Sequence, residues 1–179
     1  MIKDFKFKII KNILNVEEIK LFKIWCEIKH RINFNSFDLG QSDNADSFFY
    51  GDPVTDALLI KLTPIIEKNI DDLLLPSYSY TRIYTKFGDL KKHKDRPSCE
   101  ISATIHLASD GTKWPIYMNG EGITLEPGDG VIYLGTQLEH WREEFFGDWY
   151  AQVFLHWVLK EGKYKDFYKD KRNYFGMRK

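Results

Sequence analysis

Cysteine is scarce. Cys26 and Cys99 are the only two in 179 residues, and no Cys-x-x-Cys pair exists. This excludes the disulfide scaffold of small secreted domains and the cysteine motifs of zinc or dithiol sites. Two reduced thiols fit a reducing compartment, so a cytoplasmic location is expected. Net charge is also lacking: 26 Lys and Arg balance 26 Asp and Glu, which gives no general attraction to nucleic acid or to an acidic membrane surface. No run approaches the roughly 18 consecutive apolar residues of a membrane span. The first twenty residues, MIKDFKFKIIKNILNVEEIK, carry charges through their apolar positions and have no small-residue cleavage site, so they do not read as a signal peptide. No internal repeat or low-complexity segment is present, and a soluble, unexported chain is expected.

What remains is a composition suited to one packed unit. The chain is 43% apolar and 16% aromatic, long enough for one sizeable core and too short for two ordinary domains with a linker. A single domain over 1–179 is expected, with a core at about 78–158, an N-terminal strand and helices over 1–77, and a basic helix or tail over 159–179. Phe, Tyr and Trp concentrate in the strand-like segments, which points to an aromatic-rich β core.

Residues 5 to 10, FKFKII, alternate apolar and basic like a half-buried strand, and Asn15-Val16-Glu17-Glu18 then reads as a capped helix start. Ile19, Phe22, Cys26 and Ile28 carry that helix forward. The stretch 31–54 is dense in Asn, Asp, Ser and Gly and reads as a long, functional loop. A second helix is expected over about 55–74, with Leu58, Ile60, Leu62, Ile65 and Ile66 inward and Pro76 marking its end. From residue 78 the period becomes two: SYTRIYTKF, CEISATIHL, PIYMN, GITLEP, GVIYLG and WYAQVFLHWV are separated by Gly, Asp, Asn and Pro turn signals. Closely spaced strands after two helices predict an α+β, mainly β architecture, a double-sheet or barrel-like core buttressed on one face. The tail after Val158 carries aromatics and an excess of basic residues, and is expected to dock as an amphipathic helix.

The segment HKDRPSCEIS, residues 93 to 102, carries the chemistry. In extended chain, residues i and i+2 share a face, so His93 and Asp95 can present an imidazole nitrogen and a carboxylate oxygen to one point. A lone His-x-Asp is also an ordinary polar turn, and the pair needs a third ligand. His140 follows the strand GVIYLG at the rim of the core and is the best candidate. Two histidines and one carboxylate with open positions form the facial triad of non-haem Fe(II) oxygenases, whereas a structural zinc site asks for four protein ligands. His106 and His156 lie inside apolar strands and read as core or pocket-wall residues; His30 suits the C-terminal end of a helix dipole.

Beyond the triad, the order of motifs from Tyr80 to Val158 resembles the catalytic core of the Fe(II)- and 2-oxoglutarate-dependent dioxygenases of the prolyl 4-hydroxylase-like type. The motifs are Arg82-x-Tyr84, Gly88 and Leu90, His93-x-Asp95, SCEISATIHL, PGDG at 127–130, EHWRE around His140, and QVFLHW. The resemblance implies a double-stranded β-helix, the distorted jelly roll, with His93, Asp95 and His140 as the metal ligands. It implies Fe(II), with 2-oxoglutarate as cosubstrate and dioxygen as oxidant, and hydroxylation of an unactivated C–H bond with release of succinate and CO2. The family's basic residue for the distal carboxylate of 2-oxoglutarate lies at the start of the last core strand, where this chain has Asp148, Trp149, Tyr150 and Ala151. Arg142, two residues from His140, is the first substitute and Arg82 the second; an ordinary ion pair, with Glu143 or Glu144 for instance, is the plainer role for either. Tyr84 matches a position from which related enzymes donate a hydroxyl to the cosubstrate. Arg96 is expected to face away from the metal. Trp114 reads as core, and Trp141 as either core or site mouth. Substrates compatible with this reading span peptidyl proline, small molecules, lipids or sugars, and nucleobases, entering beneath the 31–54 loop. A non-catalytic, metal-binding jelly roll is the alternative, and a cupin-type metal enzyme would ask for more histidine ligands.

Overall fold

The computed structural model describes residues 5–32 and 45–177. In chain order its elements are β1 (Phe7–Ile10), α1 (Val16–Ile32), β2 (Ala45–Tyr50), α2 (Pro53–Ile70), β3 (Leu74–Thr85), β4 (Leu90–His93), β5 (Ile101–Ser109), β6 (Ile116–Met118), β7 (Glu121–Ile123), β8 (Gly130–Tyr133), β9 (His140–Arg142) and β10 (Trp149–Leu159). The strands form two antiparallel sheets. The larger has the order β1-β8-β5-β10-β3-β2 and the smaller β4-β9-β6-β7. With helices packed on one side, this is the α+β, mainly β, double-stranded β-helix expected from the sequence.

Local chemistry sets the helix ends. At the start of α1 the Asn15 side chain accepts from the Glu18 N–H while the Glu18 carboxylate accepts from the Asn15 N–H, a reciprocal capping box. Asp52 caps α2 by accepting from the Val54 N–H, with Pro53 in the first turn, where its missing donor costs nothing. Both helices cover the outer face of the larger sheet. There Phe22, Cys26, Leu58, Leu59, Leu62 and Ile66 join Ile101, Ala103, Ile105, Leu107, Val153, Leu155 and Trp157 in one apolar cluster. The period of two then turns the alternate residues of β5 and β10 to the inner face, between the sheets. Those are Ser102, Thr104 and His106 on β5, and Tyr150, Gln152, Phe154 and His156 on β10, nearly all buried. The outer face is apolar and the inner face polar, the reverse of a half-solvated sheet, and this polarity is what builds a site.

Several elements differ from the sequence reading. The second helix stops at Ile70, and Pro76 sits within β3 beside a register irregularity opposite Trp157, where a missing N–H is tolerated. Ile60 and Ile65 are 48% and 39% exposed, and Ile28 is 53% exposed, because each helix rests on a single stripe. Within the expected loop 31–54, Ala45–Tyr50 is a strand paired with β3, and α2 has begun by Pro53; residues 33–44 lie outside the described residues. The tail is no amphipathic α-helix: Lys165–Lys171 makes short 3₁₀ turns interrupted by left-handed Lys169 and Asp170. It is held as a strap instead. Arg96 grips the buried Asp170 at 2.8 Å, and Arg172 pairs with Asp56 at 2.9 Å with both side chains buried. No helix among the described residues is long and apolar enough to cross a membrane.

Candidate metal centre

β4 and β9 pair in antiparallel register, which sets His93 directly opposite His140. Their ring centroids are 4.3 Å apart. Asp95 lies just past β4, fixed by a hydrogen bond from its N–H to the Gly135 carbonyl at 2.8 Å. One carboxylate oxygen, Oδ1, then sits 3.6 Å from Nε2 of both histidines. One ligating atom from each of the three residues falls within 4.8 Å of the others.

The histidine tautomers follow from their other nitrogens. Nδ1 of His93 lies 2.7 Å from the Lys91 carbonyl and Nδ1 of His140 lies 3.1 Å from the Leu138 carbonyl. A carbonyl only accepts, so each Nδ1 carries the proton and each Nε2 turns a lone pair toward the shared point. Burial would raise the Asp95 carboxyl, but contact with His93 and the charges of His140 and His156 hold it down at about 2, so it is an anion at neutral pH. His140 is 1% exposed, and burial lowers its pKa despite Asp95. His93 is raised: burial works against this, but Asp95 and the Lys91 carbonyl outweigh it. Two imidazoles and a carboxylate converging on one point suit a divalent transition metal of the facial-triad type.

A second convergence, of Asp95, Cys99 and His156, adjoins the first. Burial pushes the Cys99 thiol up to about 12, and its sulfur lies 3.1 Å from the Tyr78 hydroxyl. A protonated thiol is a poor ligand, and Cys99 reads as part of the support behind Asp95.

Deeper between the sheets lies Arg142, 2% exposed. It shares the inner face with His140, as the two-residue spacing on β9 predicts. Its partners are not Glu143 or Glu144, the plainer alternative: Nη1 donates to the Trp114 carbonyl, and Nη2 donates to Gln152 Oε1 at 2.6 Å. The guanidinium lies 4.5 Å from the Trp114 ring and 4.9 Å from the Tyr150 ring. Beside it Arg142 Nε, Gln152 Nε2 and the Tyr150 hydroxyl are buried donors without a protein partner and His106 Nε2, stacked on Tyr150, is an acceptor without one; the Thr104 hydroxyl is another such donor on the inner face of β5. An unsatisfied buried polar group costs about 1–3 kcal/mol, so a cluster of donors around one cation marks a cradle for a small polar anion. Arg82 is fully buried on β3, donates to the Tyr84 hydroxyl at 3.3 Å, and its charge acts on His93. The structure thus draws all six expected site residues together, with Arg82 directly across the β3–β10 ladder from Gln152, the partner of Arg142.

Thr104, Tyr150, Gln152 and Ser102 were not singled out as site residues by the sequence reading, and His106 and His156 only as core or pocket-wall residues. The signal was available: polar residues at alternate positions of two otherwise apolar core strands. Trp114 is core, as expected, yet it also walls the Arg142 cradle, donating its indole N–H to the Glu143 carbonyl at 2.9 Å. Trp141 faces outward and stacks on Tyr117 at 5.3 Å. Arg96 points away from the metal point, as expected, into the C-terminal strap. The proposed entry path beneath 31–54 lies largely outside the described residues.

No protein-family model and no curated protein matches the sequence. Solved structures do match the fold. A Pseudomonas putida prolyl-4-hydroxylase aligns with a TM-score of 0.68 at 14% identity, over 90% of this chain and 96% of that one. The viral collagen prolyl hydroxylase of Paramecium Bursaria Chlorella virus-1, solved as a 2OG complex, aligns at 0.65 and 11% identity over 86% and 96%. HygX from Streptomyces hygroscopicus, with nickel and 2-oxoglutarate bound, aligns at 0.67 and 11% identity over 89% and 85%. The chain has the prolyl-4-hydroxylase-like fold of the 2OG-Fe(II) oxygenases.

Proposed function

We propose that this chain is an Fe(II)- and 2-oxoglutarate-dependent dioxygenase that hydroxylates an unactivated C–H bond. The observation that carries the reading is the convergence of His93, Asp95 and His140 donor atoms within 4.8 Å, with both Nδ1 atoms committed to backbone carbonyls. Bound iron and 2-oxoglutarate would supply dioxygen activation, with oxidative decarboxylation to succinate and CO2 driving oxidation of the substrate carbon.

The residues divide the remaining work. His93 and His140 would bind a divalent cation through unprotonated Nε2, His93 releasing its proton as the metal binds, and Asp95 offers an anionic oxygen. Arg142 is the cation for the distal carboxylate of 2-oxoglutarate. Its contact with Gln152 Oε1 accounts for the missing basic residue on the last core strand: the guanidinium reaches that strand from β9. Gln152 Nε2, the Tyr150 hydroxyl and the Thr104 hydroxyl are donors for the same carboxylate. Tyr84 and Arg82 line the neighbouring β3 wall, where the hydroxyl can meet the cosubstrate. Trp114, Phe145, Tyr84 and Tyr150 form one buried aromatic cluster that excludes water from the charged pair and so strengthens it.

Anaerobic reconstitution with Fe(II), followed by 2-oxoglutarate and dioxygen, tests this. Succinate should form, and should be lost in His93→Ala and His140→Ala. Iron bound stoichiometrically without 2-oxoglutarate binding would replace the reading with the non-catalytic, metal-binding jelly roll.

A further inference from the structure

The two oxygens of Asp95 have different surroundings. Oδ1 faces both histidines at 3.6 Å. Oδ2 accepts a hydrogen bond from Ser102 Oγ at 2.9 Å. Ser102 is fully buried on the inner face of β5, and its oxygen also lies 2.9 Å from Nδ1 of His156 on β10. A hydroxyl has one proton to give. The Cys99 carbonyl, 3.2 Å away, competes for it, but an ionised carboxylate at shorter distance is the stronger acceptor. With that proton on the bond to Asp95, the imidazole must donate to Ser102. The chain therefore runs from His156 Nδ1–H to Ser102 Oγ–H to Asp95 Oδ2.

Two further features serve this chain. The His156 ring packs against Tyr78 at 4.5 Å, and the Tyr78 hydroxyl accepts from Arg96 Nε at 3.4 Å, so the imidazole is held from behind. Gly135 leaves the space in front. A Cβ there would lie 2.4 Å from Asp95 Oδ2, 2.6 Å from Ser102 Oγ and 2.2 Å from the Cys99 carbonyl oxygen. Its φ lies outside the left-handed range, so room rather than backbone freedom requires glycine at 135.

We propose that Ser102 is a positioning residue of the metal centre, backed by His156 and admitted by Gly135. It occupies Asp95 Oδ2, so that the carboxylate presents Oδ1 alone to the metal and the positions a second oxygen would close stay open. The same arrangement accounts for the convergence of Asp95, Cys99 and His156 without a second metal. The inference rests on His93, Asp95 and His140 being metal ligands, and its test separates the two.

The test is titration of the full-length protein with Co(II), read by calorimetry and by the visible absorption of the bound ion, with thermal unfolding of each apo variant in parallel. Ser102→Ala is expected to weaken Co(II) binding roughly 10- to 100-fold, the range for partners behind a metal ligand, and to shift the visible spectrum as Asp95 gains freedom to bind through both oxygens. Ser102→Thr keeps the hydroxyl and should restore both readouts. Gly135→Ala should reproduce the Ser102→Ala spectrum. If Ser102→Ala does not fold, Ser102→Gly, which also lacks the donor and adds no ligand, is expected to shift affinity and spectrum in the same direction. A folded Ser102→Ala protein with wild-type affinity and spectrum overturns the positioning role, provided His140→Ala abolishes binding. Co(II) binding that survives His140→Ala overturns the metal reading itself, and the positioning role with it.

Discussion

Replacing Arg142 by alanine removes its guanidinium from the cradle it shares with Gln152, Tyr150 and Trp114. Truncating one partner of a buried, hydrogen-bonded charge pair costs about 2–5 kcal/mol of binding. At 1.4 kcal/mol per factor of ten this is roughly a 30-fold to several-thousand-fold loss of 2-oxoglutarate affinity. The high end is favoured because Arg142 is 2% exposed, so water does not replace it easily. Calorimetric titration of Mn(II)-loaded protein with 2-oxoglutarate, without dioxygen, measures the loss, and Arg82→Ala serves as comparison. Arg142 donates to Gln152 Oε1, so the two side chains meet at the same point. The exchange Arg142→Gln with Gln152→Arg should therefore return the cation to the cradle from β10 and recover much of the affinity. Folded Arg142→Ala protein binding 2-oxoglutarate within about threefold of wild type, a difference of less than about 1 kcal/mol, would refute the assignment. A collapse of affinity in Arg82→Ala alone would transfer the role to Arg82.

Two predictions concern stability. Arg172→Ala leaves the buried Asp56 carboxylate without its ion pair, though still bonded to the Ser79 hydroxyl and the Gly176 N–H; a loss of about 3–5 kcal/mol is expected in urea unfolding, and a loss below about 1 kcal/mol would mean the strap is not held there. Burial lowers His106 and His156 to about 4, below the unfolded value of about 6.5. Between those values the unfolded chain takes up protons that the folded one refuses, so stability is full above pH 6.5 and falls as pH drops toward 4, by at most about 3 kcal/mol per histidine. His106→Gln should make the unfolding midpoint less steep in pH across this window, and an unchanged slope would contradict the buried neutral state. Asp95, held at about 2, acts in the same sense lower down: stability falls further as pH drops from about 4 to about 2.

The convergence of His93, Asp95 and His140 was legible because it depends on short-range geometry: His93 and Asp95 two residues apart in extended chain, and His140 at the mouth of a strand that turn signals delimit. The placement of Arg142 beside them was legible for the same reason, since residues 140 and 142 share a face. What could not be read was whatever needed a distant partner. Arg142 reaches Gln152 across the sheet, and neither the Oε1 contact nor the orphan donors around it leave a local pattern. Asp170 and Arg172 read as part of a basic helix docked by its aromatics, yet they are themselves buried because Arg96, Tyr50 and Asp56 wait for them on other elements. The Asn-, Asp-, Ser- and Gly-rich stretch around it hid β2, although Phe48, Phe49 and Tyr50 carry strand propensity of their own. Ile60 and Ile65 misled because helical spacing alone does not reveal how wide a stripe the sheet will cover.

The most direct measurement is the anomalous difference map of crystals grown with Mn(II) or Co(II). The account predicts a single strong peak coordinated by Nε2 of His93, Nε2 of His140 and Oδ1 of Asp95, with Asp95 Oδ2 still on Ser102. A protein saturated with metal whose peak lies away from these three residues, or no peak at this point, would contradict it.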